Sequence, residues 1–580
     1  MKNESSFSLK YIFLTLFSSL VLYCSFSCGP KAIKIEGPPS DPHQPFNFKG
    51  TKGMVVAAHP LAARAGLQML KEGGNAVDAA IATSFALNAA EPFASGIGGG
   101  GFMLIYLARG KKATVINFRE KACRNAFPEM FQENGKINQE WRTAHGLAVA
   151  VPGALAGWKY ALEKYGTKTL AEVAKSGIEI ADNGFVVGQT FSRINKDEFE
   201  KLIKMAGEET LYLNNGFPYE PGDYYRNRRL AKTLRQIASK GIDEFYSGEI
   251  AKKIVQAVQN HGGIMTDEDL SSYNPQEQTP LKGTYKGCTI YTIPPPSSGG
   301  LHTIQLLNIS ENWPIKKWGH SSFAYIHHFS EALRFVFADR AHYIGDPEFV
   351  KIPVKNLISK EYATQIVGKI KPDRALDFYP YGEFDEIQID KGNTTHLCVI
   401  DKEGNIVSLT QSINYFFGSG IIPEDTGFIL NNIMPDFSTN PQSLNAPRPH
   451  RRPVSSMAPL IIFKEGEPFL VLGSPGGSRI FSSLTQIIIN IIDFDMSLDE
   501  GIEAARFFSY SSNGEPRSIS VESRVSNKII KSLKETGHKI TVREAYDKYF
   551  GGAQGIMILK GKKIILGGAD SRRDGAGAGY

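Results

Sequence analysis

Apolar positions change their spacing along the chain, and the changes mark out its elements. "GMVVAAHP" (53–60) is a short apolar run closed by proline and predicts a strand. "LAARAGLQMLKEGGNAVDAAIATSFALNAAEP" (61–92) predicts two Ala-rich helices split at Gly73–Gly74. "GFMLIYLA" (101–108) and "KKATVINFRE" (111–120) alternate like paired strands. From about 150 to 390 the pattern is mainly helical, with segments such as "LAGWKYALEKYG" and "FAYIHHFSEALRFVFADRAHYIG", several of them stopping on glycine. After 393 the period returns to two. "THLCVI-DKEGN-IVSLTQS" and "PLIIFKEGEPFLVLG" predict hairpins, "SRIFSSLTQIIINIID" a buried helix, and "ITVREA" and "GIMILKGKKIILGGAD" further strands. With strands at both ends and helices between, one layered α/β fold built from both halves is expected, rather than two independent domains.

Composition narrows the function classes. A chain of 580 residues that is 42% hydrophobic and 21% charged is ordinarily globular, and +6 is a small net charge for that length. No basic cluster interleaved with aromatics occurs, which argues against nucleic acid as a partner. The five cysteines (24, 28, 123, 288 and 398) have no metal-ligand spacing, so no metal and no cofactor are expected. Residues 1–28 carry Lys2 and Lys10, then the apolar "YIFLTLFSSLVLYCSFSC", a secretory signal rather than a membrane span. Cys28 stands where a bacterial lipoprotein is cleaved, although Phe26 departs from the small-residue pattern. The protein is therefore expected to be exported, either to the periplasm or onto an envelope membrane as a lipoprotein. The Pro-rich stretch 29–49 reads as a tether.

Most candidate motifs also have an ordinary structural reading. "SGIGGGGF" (95–102) satisfies G-x-G-x-x-G through Gly96, Gly98 and Gly101. A dinucleotide site needs that pattern after a strand and before a helix, and here the order is reversed. "VLGSPGGSRIF" (471–481) runs strand, turn, helix start. The Gly476 and Gly477 N–H groups at a helix N-terminus suit an oxyanion, and a plain β–α connection would need glycine equally. Ser455 and Ser456 lie in "RRPVSSMAP", and no G-x-S-x-G serine elbow is present. Arg119 follows the apolar run "ATVINF" and could clamp a carboxylate through two hydrogen bonds or simply be a solvated strand end. Asp436, in "NNIMPDF", means little alone.

Thr394 and Thr395 head a β-rich run, where β-branched residues are common anyway. A sharper reading exists. If the chain is cut before Thr394, a hydroxyl and a fresh α-amine sit on one residue. That amine has an ordinary pKa near 7.7–8.0, so it can accept a proton near neutral pH with no histidine or aspartate partner.

Taken together, "GGNAVDAAIA", "SGIGGGGFMLIY", "FRE", "VPGALAGW", "PPPSSGGLH", "TTHLCVID", "FGSGI", "LNNIMPDF", "RRPVSSMAP", "GSPGGSRI" and the closing "AGY" resemble the γ-glutamyltranspeptidase family of N-terminal-nucleophile hydrolases, over about 50–580. The resemblance implies a four-layer αββα sandwich and self-cleavage between Asn393 and Thr394. It implies a large piece (50–393) and a small piece (394–580) that form one interlocked heterodimer. It further implies that Thr394 attacks γ-glutamyl amides such as glutathione and passes the glutamyl group to water or to an acceptor amino acid or peptide. Carried over by position, Arg119, Ser455 and Ser456 are expected on the glutamyl carboxylate, Asp436 on its amine and Asn414 in the same pocket. Gly476 and Gly477 are expected as oxyanion donors. Ser412 stands where the family commonly has a threonine bonded to the nucleophile.

Two departures bear on substrate. Ile433 replaces a usual Gln or Glu that helps bind the substrate amine, and Pro435 replaces a usual acid. The segment from Phe437 to Ser455 is shorter than the loop of lid-bearing members, which predicts an open pocket and a weaker bias toward transfer. The alternatives are an uncleaved surface lipoprotein that only binds ligands, and an acylase of the same superfamily acting on another amide.

Overall fold

Two seven-stranded antiparallel sheets lie face to face, and each draws strands from both halves of the sequence. This computed structural model describes residues 46–376, 393–509 and 517–580, all within one compact unit. The proposed signal, Cys28 and most of the tether lie outside the described residues. In the first sheet the order is Phe48–Gly50, Ile564–Ala569, Gln554–Leu559, Glu467–Gly473, Leu460–Lys464, Cys288–Thr292, Leu281–Tyr285. In the second it is Ala576–Gly579, Met54–Ala57, Asn393–Ile400, Ile406–Asn414, Gly100–Leu107, Lys112–Asn117, Gln276–Gln278.

Three apolar layers explain why these strands read as nearly unbroken apolar runs. Between the sheets, Val56, Leu104, Cys398 and Ile400 meet Ile461, Val471 and Ile556. On the outer face of the second sheet, Val55, Leu397, Val399 and Leu409 pack against Val77, Ile81, Phe85 and Trp158 of the helical layer. On the outer face of the first, Leu460, Leu470 and Leu472 pack against Leu306, Leu333, Leu484 and Ile488. Helix, sheet, sheet, helix is the expected four-layer αββα order.

The expected hairpins are in place, as Asn393–Ile400 with Ile406–Asn414 and Leu460–Lys464 with Glu467–Gly473. Ile480–Ile492 is the buried helix. The mainly helical middle holds a hairpin that the sequence pattern did not single out, Leu281–Tyr285 with Cys288–Thr292. Its apolar positions alternate (burial is deep at Cys288, Ile290 and Thr292), but its polar residues and short length hide it among long helices.

The glycine run 96–101 is explained by close packing. A Cβ on Gly98 would fall on the Ile429 carbonyl oxygen, and one on Gly99 on the Ser412 carbonyl oxygen. The loop thus lies backbone against backbone on the end of Ile406–Asn414. Gly99→Ala is expected to destabilise the fold by about 1–3 kcal/mol, as overpacked cores do. A denaturant-unfolding midpoint equal to that of the wild type would contradict that contact.

Candidate active site

The strand Asn393–Ile400 decides which threonine faces the site. Side chains alternate along a strand, and Cys398 and Ile400 point between the sheets while Leu397 and Val399 point to the helices. By that alternation Thr394 faces the space between the sheets and Thr395 faces the helical layer. The contacts agree: Thr395 Oγ1 donates to Glu91 Oε2 at 2.6 Å, and Glu91 caps the C-terminus of the helix Ala76–Ala90. His396 points inward again, because a Cβ on Gly473 of the opposite sheet would strike its ring.

Ser412 reaches the bond in front of Thr394. The pairing of the two strands shifts register between Asn393 and Thr395, so Asn393 lies opposite Asn414 while Thr395 lies opposite Gln411. This leaves Ser412 and Ile413 opposite the single residue Thr394, a bulge that re-aims the local side chains. From there Ser412 Oγ donates to the carbonyl oxygen of Asn393 and accepts from the Asn414 N–H at 2.7 Å. Thr394 N donates to Asn393 Oδ1 at 3.0 Å. Arg573 spans the same peptide: Nη1 donates to the Thr394 carbonyl at 3.0 Å, and Nη2 to Asn393 Oδ1.

A chain of hydrogen bonds leads from Ser412 to the arginine. Asn414 Nδ2 donates to Asp436 Oδ1 at 3.2 Å and to the Asn432 carbonyl at 2.8 Å. Asp436 Oδ2 pairs with Arg119 Nη2. Arg119 is buried, and its guanidinium also meets the Pro453 and Val454 carbonyls (3.4 and 3.5 Å) just before Ser455. It stands two residues beyond its strand, Lys112–Asn117, so it is not a solvated strand end. Below it, burial pushes the Glu120 carboxyl up to about 7, against the attraction of Arg119. Ser455 and Ser456 are buried rather than solvated. Ser455 Oγ accepts from the Met457 N–H at 3.1 Å, and Arg340 Nη2 reaches Ser456 Oγ at 3.5 Å.

Gly476 and Gly477 follow the strand Glu467–Gly473, whose end packs over His396, and they lead through one tight helical turn into Ile480–Ile492. Their φ values of +135° and +55° are ones that side chains rarely adopt. A Cβ on Gly476 would meet Gly551 and Arg479, and the two glycines are tied to the threonine strand through the strand end before them, where Gly473 lies on His396. Ile433 packs with Met434, Phe437, Met130 and Phe131 in an apolar cluster, and its N–H donates to Asn431 Oδ1 at 3.1 Å. The Pro435 carbonyl accepts from Arg142 Nη2 at 2.8 Å. The segment 438–454 folds back on itself around Asn445, which ties the Asp436 carbonyl (2.7 Å) to the Val454 N–H (3.0 Å).

Among the described residues, no histidine is hydrogen-bonded to Thr394. His396 spends one ring nitrogen on Thr410 Oγ1 (2.8 Å) and the other against Cys398 Sγ (3.2 Å), and burial lowers its pKa to about 3. Four charged residues of this region, Glu91, Glu120, Arg340 and Arg573, were not singled out from sequence. Nothing local marks them, since Arg573 is one of two adjacent arginines and Arg340 lies near the end of a long helix.

Comparison with known proteins agrees with this geometry. The γ-glutamyltranspeptidase family model matches residues 62–580. A glutathione hydrolase proenzyme of Bacillus subtilis (strain 168) is 40% identical, covering 91% of this chain and 92% of its own length. One of Escherichia coli (strain K12) is 38% identical, covering 96% and 97%. The crystal structure of a cephalosporin acylase from Bacillus halodurans superposes with a TM-score of 0.83 at 29% identity, over 95% of this chain and 99% of that one. A buried threonine strand packed against a second sheet and a family match across most of the length together place this chain in the γ-glutamyltranspeptidase family.

Proposed function

We propose that the protein is a self-processing glutathione hydrolase and γ-glutamyltransferase, with Thr394 as its nucleophile. The observation that carries this reading is the Ser412 hydroxyl donated to the Asn393 carbonyl, in front of a threonine facing between the sheets. In the first reaction Thr394 Oγ adds to that carbonyl carbon, and the developing oxyanion receives the Ser412 hydrogen bond. The C–N bond breaks, the hydroxyl proton passes to the Thr394 nitrogen, and an ester remains. Water hydrolyses the ester and leaves Asn393 as a carboxylate and Thr394 with a free amine. Residues 50–393 and 394–580 then stay together as one heterodimer, because each sheet contains strands of both.

In the second reaction the amine takes the Thr394 hydroxyl proton as the oxygen attacks a γ-glutamyl amide. The Gly476 and Gly477 N–H groups receive the oxyanion, and the leaving amine carries off the proton. Water or an acceptor amino acid or peptide then takes the glutamyl group from the ester. The ion pair of Arg119 with Asp436 supports an α-amino acid as the recognised end. A zwitterion offers a carboxylate to Arg119, Ser455 and Ser456 and an ammonium to Asp436 and Asn414, replacing one internal pair by two. With Ile433 packed among apolar neighbours, the amine contact falls to Asp436 and Asn414. An acylase of another amide is the second reading, favoured by the fold likeness to the cephalosporin acylase. An acyl group without an α-amine would offer Asp436 no cation in exchange for Arg119. The leader pattern of 1–28 supports export, to the periplasm or to an envelope membrane through Cys28.

Release of a γ-glutamyl anilide tests the reading. Wild type is expected to split before Thr394 and to release the anilide, whereas Thr394→Ala stays one band on a denaturing gel and is inert. A single band for active wild type would refute it. Ser412→Ala should slow splitting by about 10²–10³-fold, the usual effect of losing one oxyanion donor, with Ser412→Thr restoring it. Time courses of band appearance check this. With 438–454 folded on itself beside the site, the ratio of transfer to hydrolysis is expected below that of lid-bearing members, measured with and without acceptor peptide.

A further inference from the structure

A buried acid and a half-buried arginine flank the Thr394 position, and the reaction above uses neither. Arg573 grips the Thr394 carbonyl and the Asn393 side chain. Glu91 holds Thr395, the next residue, from the helical side. The other acids near the site are already engaged: Asp436 pairs with Arg119, and Glu120 lies 3.4 Å from the same guanidinium. We propose that Glu91 is a positioning residue for the amine base freed at Thr394: tethered through Thr395 and opposed by Arg573, its charge governs the pH at which that amine becomes a neutral proton acceptor. The proposal rests on the self-processing reading.

The surroundings of Glu91 define the electrostatics. The charged groups facing it are Arg573 and Asp574, from the turn after Ile564–Ala569. Arg573 in turn faces Asp570, Asp574 and, from the glycine turn, Arg479. Asp574 accepts from Thr190 Oγ1 at 2.7 Å and faces Arg193. Burial pushes the Glu91 carboxyl up to about 7, and Arg573 and the Thr395 hydrogen bond offset part of that. Glu91 therefore changes charge in the range where an N-terminal amine does, near 7.7–8.0. Ionised Glu91 favours the ammonium form and raises the pKa of the amine, and Arg573 lowers it. The two protons then leave in two macroscopic steps that belong to the pair.

The test is the pH dependence of kcat/KM for γ-glutamyl anilide release by fully split protein. Wild type is expected to show an acid limb broader than a one-proton titration. In Glu91→Gln the limb should become a one-proton curve and move to lower pH by about one unit, because the amine loses its anionic neighbour. Thr395→Val should move it the same way by less, since the carboxyl loses a hydrogen bond that favours its charged form. This variant carries the test if Glu91→Gln does not split. A one-proton limb in wild type, or coincident limbs in wild type and the split variants, would overturn the proposal. Wild type that neither splits nor releases anilide would instead sink the functional reading beneath it.

Discussion

Burial of the strand Asn393–Ile400 on both faces is the constraint on which the site depends. All eight of its residues are buried, with one helix-facing and one sheet-facing set. A strand open to solvent on one side can slip by a residue at modest cost, but here a slip would send Leu397 and Val399 between the sheets and His396 into the helical layer. It would also exchange Thr394 for Thr395. The identity of the inward threonine is thus fixed by apolar residues three to six positions downstream, not by anything at the threonines themselves.

Precision at the bond between Asn393 and Thr394 comes from the elements packed around it. The glycine run behind Ile406–Asn414 brings backbone onto the carbonyl of Ser412, which a side chain would forbid. The bulge then gives Ser412 its aim. On the C-terminal side, Arg573 extends from a turn fixed by buried charges. Asp570 pairs with Arg506 (2.6 Å) and Arg572 (3.0 Å), Arg572 Nε donates to Glu522 Oε1 at 2.8 Å, and Glu503 accepts from the Ser571 N–H and hydroxyl, both at 2.7 Å. Such clusters are poor sources of stability, because each ion gives up its water. Their effect here is positional: Arg572 is held within the cluster, and its neighbour Arg573 is directed to the peptide.

Much of this was legible in the sequence, for a physical reason. Periods of two and 3.6 report burial, so the central hairpins, the Ala-rich helices and one layered fold built from both halves followed from the apolar pattern, whereas the four-layer order was what the family resemblance implied. Reversed element order around Gly96–Gly101 excluded a dinucleotide loop, and the fold supplies the closer packing that the glycines permit. The hairpin Leu281–Thr292 escaped because two five-residue strands carry little periodic signal beside long helices. Glu91, Arg340 and Arg573 escaped because their roles arise from contacts hundreds of positions apart in the chain, as between Thr395 and Glu91. Nothing in the stretch around Ser455 and Ser456 marks them as buried, because their cover comes from Arg340 and Arg119, which are distant in the chain.

The same few groups must serve two reactions in the proposed cycle, and the geometry separates them. As proposed, cleavage of the chain uses a carbonyl that belongs to the strand itself, and the hydroxyl that reaches it is that of the adjacent strand, Ser412. Transfer uses a carbonyl that arrives from outside, between the sheets, where Gly476 and Gly477 leave the opposite sheet. Before any ligand arrives, Arg119 and Asp436 satisfy each other, so neither charge lies buried without a partner, which would cost several kcal/mol. A ligand bearing only one charge would break that pair and replace half of it. An α-amino acid end replaces both halves, and that difference, rather than the fold alone, is what argues for a glutamyl group at this site.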